Sequence, residues 1–380
     1  EQEIIEKIDI GGVSLIRAAA KNFSDVLIVS SRSQYDNVLD YLSVNSFSSD
    51  INFRKRMAFD AFSEILNYDS EIEEYFGITT NVYKNLRYGE NPHQKGIFKG
   101  DIEDIFDQIN GKELSYNNLL DVDSAVRLIS EFDDPTFAIL KHNNACGIAS
   151  SSDAISSYTK AFDADPLSAF GGVLIYNGPI DKPAAEKIND LFFEIIIAPK
   201  YSDESLEILK SKKNRIILIQ KKKIFKSYVS RDILNGKLKQ EVDNEIKDYN
   251  SWQLVTEKKL DKSSIEDLEF ANRIVKHSKS NSIVLVKDKQ MLSSGVGQTS
   301  RVDALKFAIE KAKTFNFDLK GSVMASDAFF PFPDCIEIAS DAGIKGVIQP
   351  GGSIKDDLSI DSCNQRGMSM YLSGTRHFYH

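Results

Sequence analysis

Short runs of consecutive apolar residues, each followed by a polar or glycine-containing turn, recur along most of this sequence. FAILKH at 137–142, GGVLIY at 171–176, EIIIAP at 194–199 and SIVLVK at 282–287 are four of them. Apolar runs of this length are typical of buried strands. Segments with helical apolar spacing, such as RVDALKFAIEKAK, separate them. The alternation predicts an α/β fold, in which ligands collect where strands end.

The front of the chain carries similar signals. IDIGG is interpreted as a short strand ending in a glycine turn, and VSLIRAAAKN, which follows it, has helical apolar spacing. DVLIVSS is a further strand candidate, and the spacing over 35–74 is mostly helical. We therefore expect a strand, turn, helix unit here.

Two stretches interrupt the pattern. NVYKNLRYGENPHQKG at 81–96 contains glycine and proline, and the Lys-rich stretch 210–226 runs into a polar segment. Such charge runs are typical of solvated faces, with anion binding as the alternative. The interruptions predict three regions: 1–80, 81–248 and 249–380.

Composition and charge limit the function. The net charge of -9 argues against a nucleic-acid binder but allows a cationic pocket for a small anion. The three cysteines lie far apart without a CxxC pair, which excludes a disulfide framework or a cysteine-built zinc site. The first residues are acidic where a signal peptide is basic, and no apolar stretch approaches ~18 residues. We expect a cytoplasmic protein that binds neither a nucleic acid polymer nor a membrane.

Lys141 and His142 follow the apolar run FAIL and precede the polar turn NNACG. Histidine supplies general acid and base chemistry near neutral pH, and an adjacent lysine can hold an anion or stabilise an oxyanion. Taken alone, such a pair also occurs as an ordinary surface feature. Its surroundings must distinguish the two interpretations.

Two further segments carry cationic groups. In RYGENPHQ, Gly89 and Pro92 shape a sharp loop around Arg87, and arginine can direct two donors at a phosphate. A stiffened domain linker is the alternative. Near the end, SGTRHFYH combines Arg376 with two histidines and two aromatic residues, a pattern that favours a tail tucked into a site over a frayed end.

The segment SDAFFPFPD at 326–334 has too many prolines for a strand interior. Phe329 and Phe332 could form walls for a flat heterocycle, or could be plain core. The glycine turns SAFGG and GQTSR lack a GxGxxG or P-loop spacing. The sequence also lacks the zinc-deaminase motif, GxSxG and HExxH, which removes the corresponding enzyme classes.

Taken together, these motifs resemble one family closely: the bifunctional purine-biosynthesis enzyme that is both 5-aminoimidazole-4-carboxamide ribonucleotide (AICAR) transformylase and inosine monophosphate (IMP) cyclohydrolase. The matching stretches run in family order from residue 8 to residue 380. They include IDIGGVSLIRAAAKN, NLRYGENPHQ, GKELSYNNLLDVDSA, AILKHNNACG, AFDADPLSAFGG, KSNSIVLVKD, GVGQTSRVD, SDAFFPFPDCIEIA, IQPGGSI and RHFYH.

The resemblance implies an AICAR transformylase built of two cytidine-deaminase-like α/β halves, 81–248 and 249–380, without a catalytic zinc. Residues 1–80 then correspond to the C-terminal remnant of the IMP cyclohydrolase domain, which is methylglyoxal-synthase-like. The implied co-substrate is 10-formyltetrahydrofolate, and the implied assembly is a homodimer with active sites at the interface.

The resemblance also implies roles for individual residues. Lys141, His142 and Asn281 are implied to be catalytic. Substrate binding is implied for Arg87, Tyr88, His93, Phe170, Gly171, Glu194, Phe329 and Arg376, and folate binding for Val302, Pro331, Phe332 and Asp334. The cyclohydrolase remnant matches the family at Asp9, Gly11, Gly12 and Lys21. The resemblance further implies a monovalent cation, structural potassium, near Ser278, Ser280, Ser282 and Asp327.

The sequence departs from the family pattern at several points. Ala145 stands where the family usually has proline, and Glu194 occupies a position that is Asp or Glu. The phosphate loop of the SVSDKTG kind and the GRVKTLHP segment, which belong to the front of the family's sequence, do not occur. We therefore expect these residues alone to formylate AICAR without cyclising the product. The alternative is a non-catalytic nucleotide-binding or dimerisation module.

Overall fold

A computed structural model describes residues 2–80, 82–223 and 226–380. The chain folds as two compact units, one of residues 1–86 with 96–101 and one of residues 87–95 with 102–380. None of the helices in the described ranges combines the length and apolarity needed to cross a membrane. The assignment of 1–80, 81–248 and 249–380 to three domains stays a prediction.

The smaller unit is mainly helical. Its elements are α1 (Gln2–Ile5), α2 (Gly11–Lys21), a 3₁₀ turn (Arg32–Gln34), α3 (Tyr35–Val44), α4 (Ile51–Thr79) and the antiparallel strands β1 (Tyr83–Leu86) and β2 (Gly96–Lys99). Ala20 of α2 is buried against Ala58 and Ala61 of α4, where small side chains let the two helices approach closely. The predicted helices over 13–22 and 35–74 are confirmed, the latter as α3 and α4.

The two strands predicted for this unit are wrong. Residues 8–10 of IDIGG form an irregular segment before α2, and residues 26–30 of DVLIVSS belong to no strand among the described residues. Apolar composition alone does not make a strand, because the backbone groups need a neighbouring strand to complete their hydrogen bonds.

The larger unit contains the remaining elements. Its helices are α5 (Tyr116–Ile129), α6 (Ala154–Ala164), α7 (Pro166–Ala169), α8 (Lys182–Asn189), α9 (Asp203–Leu209), α10 (Lys262–Lys276), α11 (Arg301–Thr314), α12 (Asp334–Asp341) and α13 (Asp356–Gln365). Its strands are β3 (Phe106–Asn110), β4 (Thr136–Lys141), β5 (Asn144–Ser150), β6 (Val173–Tyr176), β7 (Pro179–Ile180), β8 (Ile195–Ala198), β9 (Lys200–Tyr201), β10 (Ile216–Gln220), β11 (Tyr228–Ile233), β12 (Gly236–Glu241), β13 (Gln253–Leu254), β14 (Ile283–Lys287), β15 (Gln290–Gly295), β16 (Val323–Ser326), β17 (Gly346–Gln349) and β18 (Ser369–Leu372).

Twelve of these strands form one mixed sheet in the order β13-β18-β17-β16-β14-β15-β5-β4-β6-β8-β10-β3. Two parts of the sheet repeat one pattern. β4 pairs antiparallel with β5 and β6, and β6 pairs parallel with β8. In the same way, β14 pairs antiparallel with β15 and β16, and β16 pairs parallel with β17. β15 joins β5 through the pairing of Gln290 with Ala149.

Helices cover both faces of this sheet. On one face α5 and α10 pack into a single apolar core that spans both repeats and includes Leu128 and Leu268. On the other face α6 and α8 cover the first repeat, and α11 and α12 cover the second. Strands β4, β6 and β8 are buried on both faces, which explains their unbroken apolar sequences. The α/β prediction is confirmed.

Candidate active site

One edge of the large sheet collects the polar residues selected from the sequence. Lys141 ends β4, whereas Gly171, Glu194 and Asn281 lie just before β6, β8 and β14. Asp327 directly follows β16. Because β4 runs antiparallel to β6 and, through β5 and β15, to β14, these points share one edge. The sheet therefore groups residues that are up to 186 positions apart, from 141 to 327.

Lys141 is held at this edge by the segment before β6. Its Nζ donates a hydrogen bond to Phe170 O at 2.5 Å. Gly171 has a φ of +70°, and a Cβ built there would lie 3.2 Å from Lys141 Nζ. Glycine therefore serves both the backbone conformation and the space for the ammonium group.

Phe170 and Phe192 form an aromatic pair beside Lys141. Their ring centroids lie 4.9 Å apart, and the two residues are 59% and 56% exposed. Large apolar side chains this exposed are available to contact a ligand. The resemblance implies substrate binding for Phe170, whereas nothing local in DLFFEI marks the position of Phe192 beside it.

The carboxylate of Glu194 is held by two donors, of which one is cationic. Its Oε2 accepts from Lys112 Nζ at 3.3 Å and from Asn118 Nδ2 at 3.1 Å. Asn118 is buried in the first turn of α5, whose N-cap is Ser115. The start of α5 thus fixes the carboxylate that precedes β8.

The loop with Arg87, Tyr88 and His93 is closed by its own hydrogen bonds. Gly89 N donates to Gln94 O at 2.7 Å, and Gln94 Oε1 accepts from the backbone N–H of the loop's asparagine at 2.9 Å. Arg87 and His93 are exposed, and the Arg87 guanidinium lies 5.7 Å from the Tyr88 ring centroid.

Helix α5 connects this loop to the site. Asn117 Nδ2 donates to Glu90 O at 3.1 Å, one residue before the asparagine that binds Glu194. The beginning of α5 therefore contacts both the loop and the carboxylate.

Asn281 has an oriented amide. Its Nδ2 donates to Gln298 O at 3.0 Å and to Thr299 O at 3.3 Å, which leaves Oδ1 to accept from a substrate. Nearby, Lys279 N donates to Asn144 Oδ1 at 3.2 Å. This bond ties the Asn281 segment to the turn that carries His142.

The four residues considered for a monovalent cation lie around the start of β14. Ser278 Oγ donates to Ile274 O at 2.9 Å, and Ser280 Oγ accepts from Tyr379 N at 3.0 Å. Ser282 Oγ and Asp327 Oδ2 are buried without a hydrogen-bond partner in the described part of the chain. Oxygen ligands that lack partners fit a hard cation.

Asp327 is also held from its other side. Arg301 Nη2 donates to Asp327 Oδ1 at 2.7 Å, and Arg301 Nε donates to Ser326 Oγ at 2.8 Å. Arg301, at the beginning of α11, fixes the start of the SDAFFPFPD segment. Nothing local in GQTSR marks this arginine as a residue that contacts Asp327.

The phenylalanines of that segment have different environments. Phe330 is fully buried in the core, whereas Phe332 is half exposed, with Lys355 Nζ 4.4 Å from its ring centroid. Phe329 is partly buried and Pro331 is exposed. Only part of this segment is therefore core, and the other part can line a site.

The two remaining residues assigned to folate lie on helices. Val302 is partly buried against the core at the beginning of α11. Asp334 begins α12, and its Oδ1 accepts from Cys335 N at 2.8 Å.

The C-terminal segment is anchored at the same edge. Ser280 N donates to Tyr379 O at 2.9 Å, and the buried His377 places Nδ1 2.7 Å from Asp243 Oδ2. Arg376 remains exposed, with its guanidinium 4.5 Å from the Phe378 ring centroid. Among the described contacts, none brings this guanidinium to Arg87.

In the smaller unit, Asp9 is engaged by the start of α2. Its carboxylate accepts from Gly12 N at 3.2 Å and from Val13 N at 2.9 Å. A Cβ at residue 12 would lie 2.5 Å from Asp9 Oδ2, so a side chain there would displace the carboxylate from this position. Gly11 and Lys21 are the first and last residues of α2, and both are exposed.

Comparison with known proteins defines the class of this protein. The model of the AICARFT/IMPCHase bienzyme family matches residues 19–311. The chain belongs to this family.

Curated relatives match the chain over its whole length. The bifunctional purine biosynthesis protein PurH of Bacteroides thetaiotaomicron is 58% identical over 100% of this chain and 76% of its own length. The proteins of the same name from Acetivibrio thermocellus and Aquifex aeolicus are each 43% identical over 100% of this chain, and over 77% and 78% of their own lengths.

A solved structure, a diaminohydroxyphosphoribosylaminopyrimidine deaminase/5-amino-6-(5-phosphoribosylamino)uracil reductase from Thermotoga maritima, matches 28% of this chain and 33% of its own. The TM-score is 0.20 and the sequence identity is 21%. A likeness of this extent does not define the fold.

Proposed function

We propose that this chain transfers the formyl group of 10-formyltetrahydrofolate to the 5-amino group of AICAR, in de novo purine biosynthesis. The products are formyl-AICAR and tetrahydrofolate, and the second activity of the family is IMP cyclohydrolase. Membership of the bienzyme family supports the reaction. The observation that carries the proposal is the strand-end pair Lys141–His142 beside Gly171 and Glu194.

The reaction needs a proton acceptor and a group that stabilises negative charge. The 5-amino group of AICAR is conjugated with its ring and carboxamide, so it is a poor nucleophile. We assign removal of its proton to His142, which is exposed in the turn after β4. Lys141 is assigned to the developing oxyanion, because its ammonium group has two N–H donors besides the one directed at Phe170 O.

Asn281 is assigned to orienting the reacting groups. Because its Nδ2 is committed to two backbone carbonyls, Oδ1 is the atom that can accept a hydrogen bond from AICAR. An amide fixed by the protein orients a substrate without losing its own freedom on binding.

We assign direct transfer, without a covalent enzyme intermediate. Burial raises the pKa of Cys146, Cys335 and Cys363 to about 12, so these thiols are not ionised near neutral pH. The thiolate is the nucleophilic form of cysteine, and none of the three supplies it.

The remaining assignments concern binding. Arg87 and Arg376 are assigned to the phosphate of AICAR, and both guanidinium groups are exposed. Other contacts to AICAR are assigned to Tyr88, His93, Phe170, Gly171, Glu194 and Phe329, and folate contacts to Val302, Pro331, Phe332 and Asp334. Potassium would be held by oxygens of Ser278, Ser280, Ser282 and Asp327.

Three structural assignments complete the proposal. The repeats of the large sheet correspond to two cytidine-deaminase-like halves, 81–248 and 249–380. Residues 1–80 belong to the methylglyoxal-synthase-like cyclohydrolase domain, with Asp9, Gly11, Gly12 and Lys21 at its site. The enzyme acts in the cytoplasm as a homodimer with interface active sites.

A spectrophotometric assay of tetrahydrofolate release tests the reaction. Release should require both AICAR and 10-formyltetrahydrofolate, and should be lost in His142→Ala. Binding of AICAR without any release would instead identify a non-catalytic nucleotide-binding module.

A further inference from the structure

The turn that carries His142 adopts an unfavourable backbone conformation. His142 and Asn143 have φ values of +50° and +65°, in the left-handed region, and neither is glycine. Such residues cost free energy and persist only where surrounding contacts enforce them. The position of the imidazole therefore depends on what holds this turn.

Helix α5 supplies the charged contact to the turn. Asp121 Oδ1 accepts a hydrogen bond from Asn143 N at 2.7 Å. Ser124, one turn further along α5, places Oγ 3.4 Å from Asn143 Oδ1. In a two-residue hairpin turn the N–H of the second turn residue has no partner in the strand ladder, so the carboxylate satisfies an otherwise free donor.

The second repeat of the sheet contains the same arrangement. Asp267 of α10 accepts from Asp288 N at 3.0 Å and from Lys289 N at 2.7 Å, in the turn between β14 and β15. Those turn residues have φ values of +53° and +52°. Asp121 and Asp267 each occupy the sixth residue of their helix.

The lysines before the two turns also make equivalent hydrogen bonds. Lys287 Nζ donates to Lys320 O at 2.9 Å, as Lys141 Nζ donates to Phe170 O. Gly321 follows Lys320 with a φ of +79°, matching Gly171. The carboxylate contact is therefore a repeated device of this fold, and in the first repeat the turn that it holds carries His142.

We propose that Asp121 is a positioning residue for formyl transfer, which fixes the turn of His142 and Asn143 by accepting the backbone hydrogen bond of Asn143. The inference rests on the proposed roles of Lys141 and His142. Without this acceptor, the left-handed turn relaxes and the imidazole spends less time at the amino group. The loss falls on turnover, since Asp121 touches neither Arg87 nor Arg376 among the described contacts.

A second substitution at Asp121 can separate its hydrogen bond from its negative charge. The ionisable groups that face it are Lys141 at the end of β4, His142 in the turn and Glu194 before β8. Burial raises the pKa of Asp121, and the hydrogen bond from Asn143 and the nearby Lys141 ammonium group oppose this shift. Asp121→Asn removes the negative charge but keeps an oxygen acceptor, so it separates the hydrogen bond from the charge.

The test compares Asp121→Ala, Asp121→Asn and the matched control Asp267→Ala in steady-state assays of formyl transfer. We expect kcat to fall about 10–100-fold in Asp121→Ala, with the KM for AICAR within about threefold of wild type. Asp121→Asn should recover most of this loss, because its Oδ1 can still accept from Asn143 N. Asp267→Ala, which removes the equivalent acceptor in the second repeat, should lower the melting temperature and leave kcat within about threefold.

The possible results distinguish a positioning role of Asp121 from a role in folding alone. Unchanged kcat in Asp121→Ala, or equal losses in Asp121→Ala and Asp121→Asn, would overturn it. If Asp121→Ala does not fold, Asp121→Glu displaces the carboxylate by one methylene, and the expected result is again a lower kcat at unchanged KM. His142→Ala, assayed alongside, distinguishes the two levels: wild-type turnover there refutes the proposed role of His142, whereas loss there with full activity in the Asp121 variants refutes only the present inference.

Discussion

Lys276 Nζ lies 2.8 Å from Glu131 Oε1, in a largely buried ion pair that joins the end of α10 to the second residue after α5. His277 Nε2 lies at the same distance from that oxygen. Burial opposes the ionised carboxylate, yet the hydrogen bonds from His277 and Lys276 outweigh it and lower the pKa of Glu131 to about 2. Burial lowers the pKa of His277, so Lys276 is the cation of this pair at neutral pH.

The first prediction concerns stability in acid. Above pH 4.5 the ionised Glu131 stabilises the fold, and this contribution is lost as the pH falls towards 2, because the folded pKa lies below the ordinary value of 4.5. Glu131→Gln should therefore lower the free energy of unfolding by about 3 kcal/mol at pH 7, the size expected for breaking a buried pair. Its difference from wild type should shrink between pH 5 and pH 2, measured by urea denaturation.

Glu186→Gln is the control, since Glu186 pairs with Lys182 at 3.9 Å on the surface. That variant should stay within about 0.5 kcal/mol of wild type. An equal deficit of Glu131→Gln at pH 2 and at pH 7 would contradict the prediction.

The second prediction concerns proton transfer. His142→Ala should lower kcat by roughly 10²–10⁴-fold, the usual range for losing a general base, while AICAR binding changes much less. Steady-state kinetics and calorimetric titration with AICAR measure the two effects. Near wild-type turnover would remove His142 from the mechanism.

The third prediction concerns the phosphate. Replacing Arg87 or Arg376 with alanine should weaken AICAR binding by about 1.5–3 kcal/mol, the value of a hydrogen bond to a charged group, and raise its KM. Binding of the dephosphorylated riboside is the control and should change little. Equal losses for nucleotide and riboside would show that these arginines do not bind phosphate.

The fourth prediction concerns the space around Lys141. Gly171→Ala places a methyl group 3.2 Å from Lys141 Nζ and strains a backbone with a φ of +70°, and we expect kcat to fall about tenfold. Gly321→Ala is the matched control, because its φ is +79° but nothing lies within 4 Å of the added Cβ. It carries the backbone strain without crowding a lysine. Similar kcat losses in both variants would attribute the effect to strain alone.

The strands of the core could be predicted from the sequence because they are buried on both faces. FAILKH includes β4 except for its first residue, and GGVLIY and EIIIAP contain β6 and β8. The polar residues after or before these strands lie at one edge of the sheet. Asp121 could not be predicted in this way. It lies 22 residues from Asn143, and only the packing of α5 against β4 brings the two together.

Neighbouring strands also explain where the sequence-based predictions differ from the structure. DVLIVSS is as apolar as the true strands, but it has no neighbouring strand in the described part of the chain. Conversely, Ile216–Gln220 lies within the Lys-rich stretch 210–226, yet it forms β10 between β8 and β3. Its neighbours in the sheet, rather than the charges around it, determine its structure.

The turn after β4 and the turn after β14 are equivalent in the two repeats of the sheet. The sequence Lys287–Asp288–Lys289 occupies the place in the second repeat that Lys141–His142–Asn143 occupies in the first, with the lysine, the left-handed turn and the helical aspartate all retained. Duplication of one ancestral unit would leave such a pair. On the proposed roles of Lys141 and His142, the same backbone geometry supports catalysis in one repeat and only structure in the other, so the geometry itself does not depend on the chemistry.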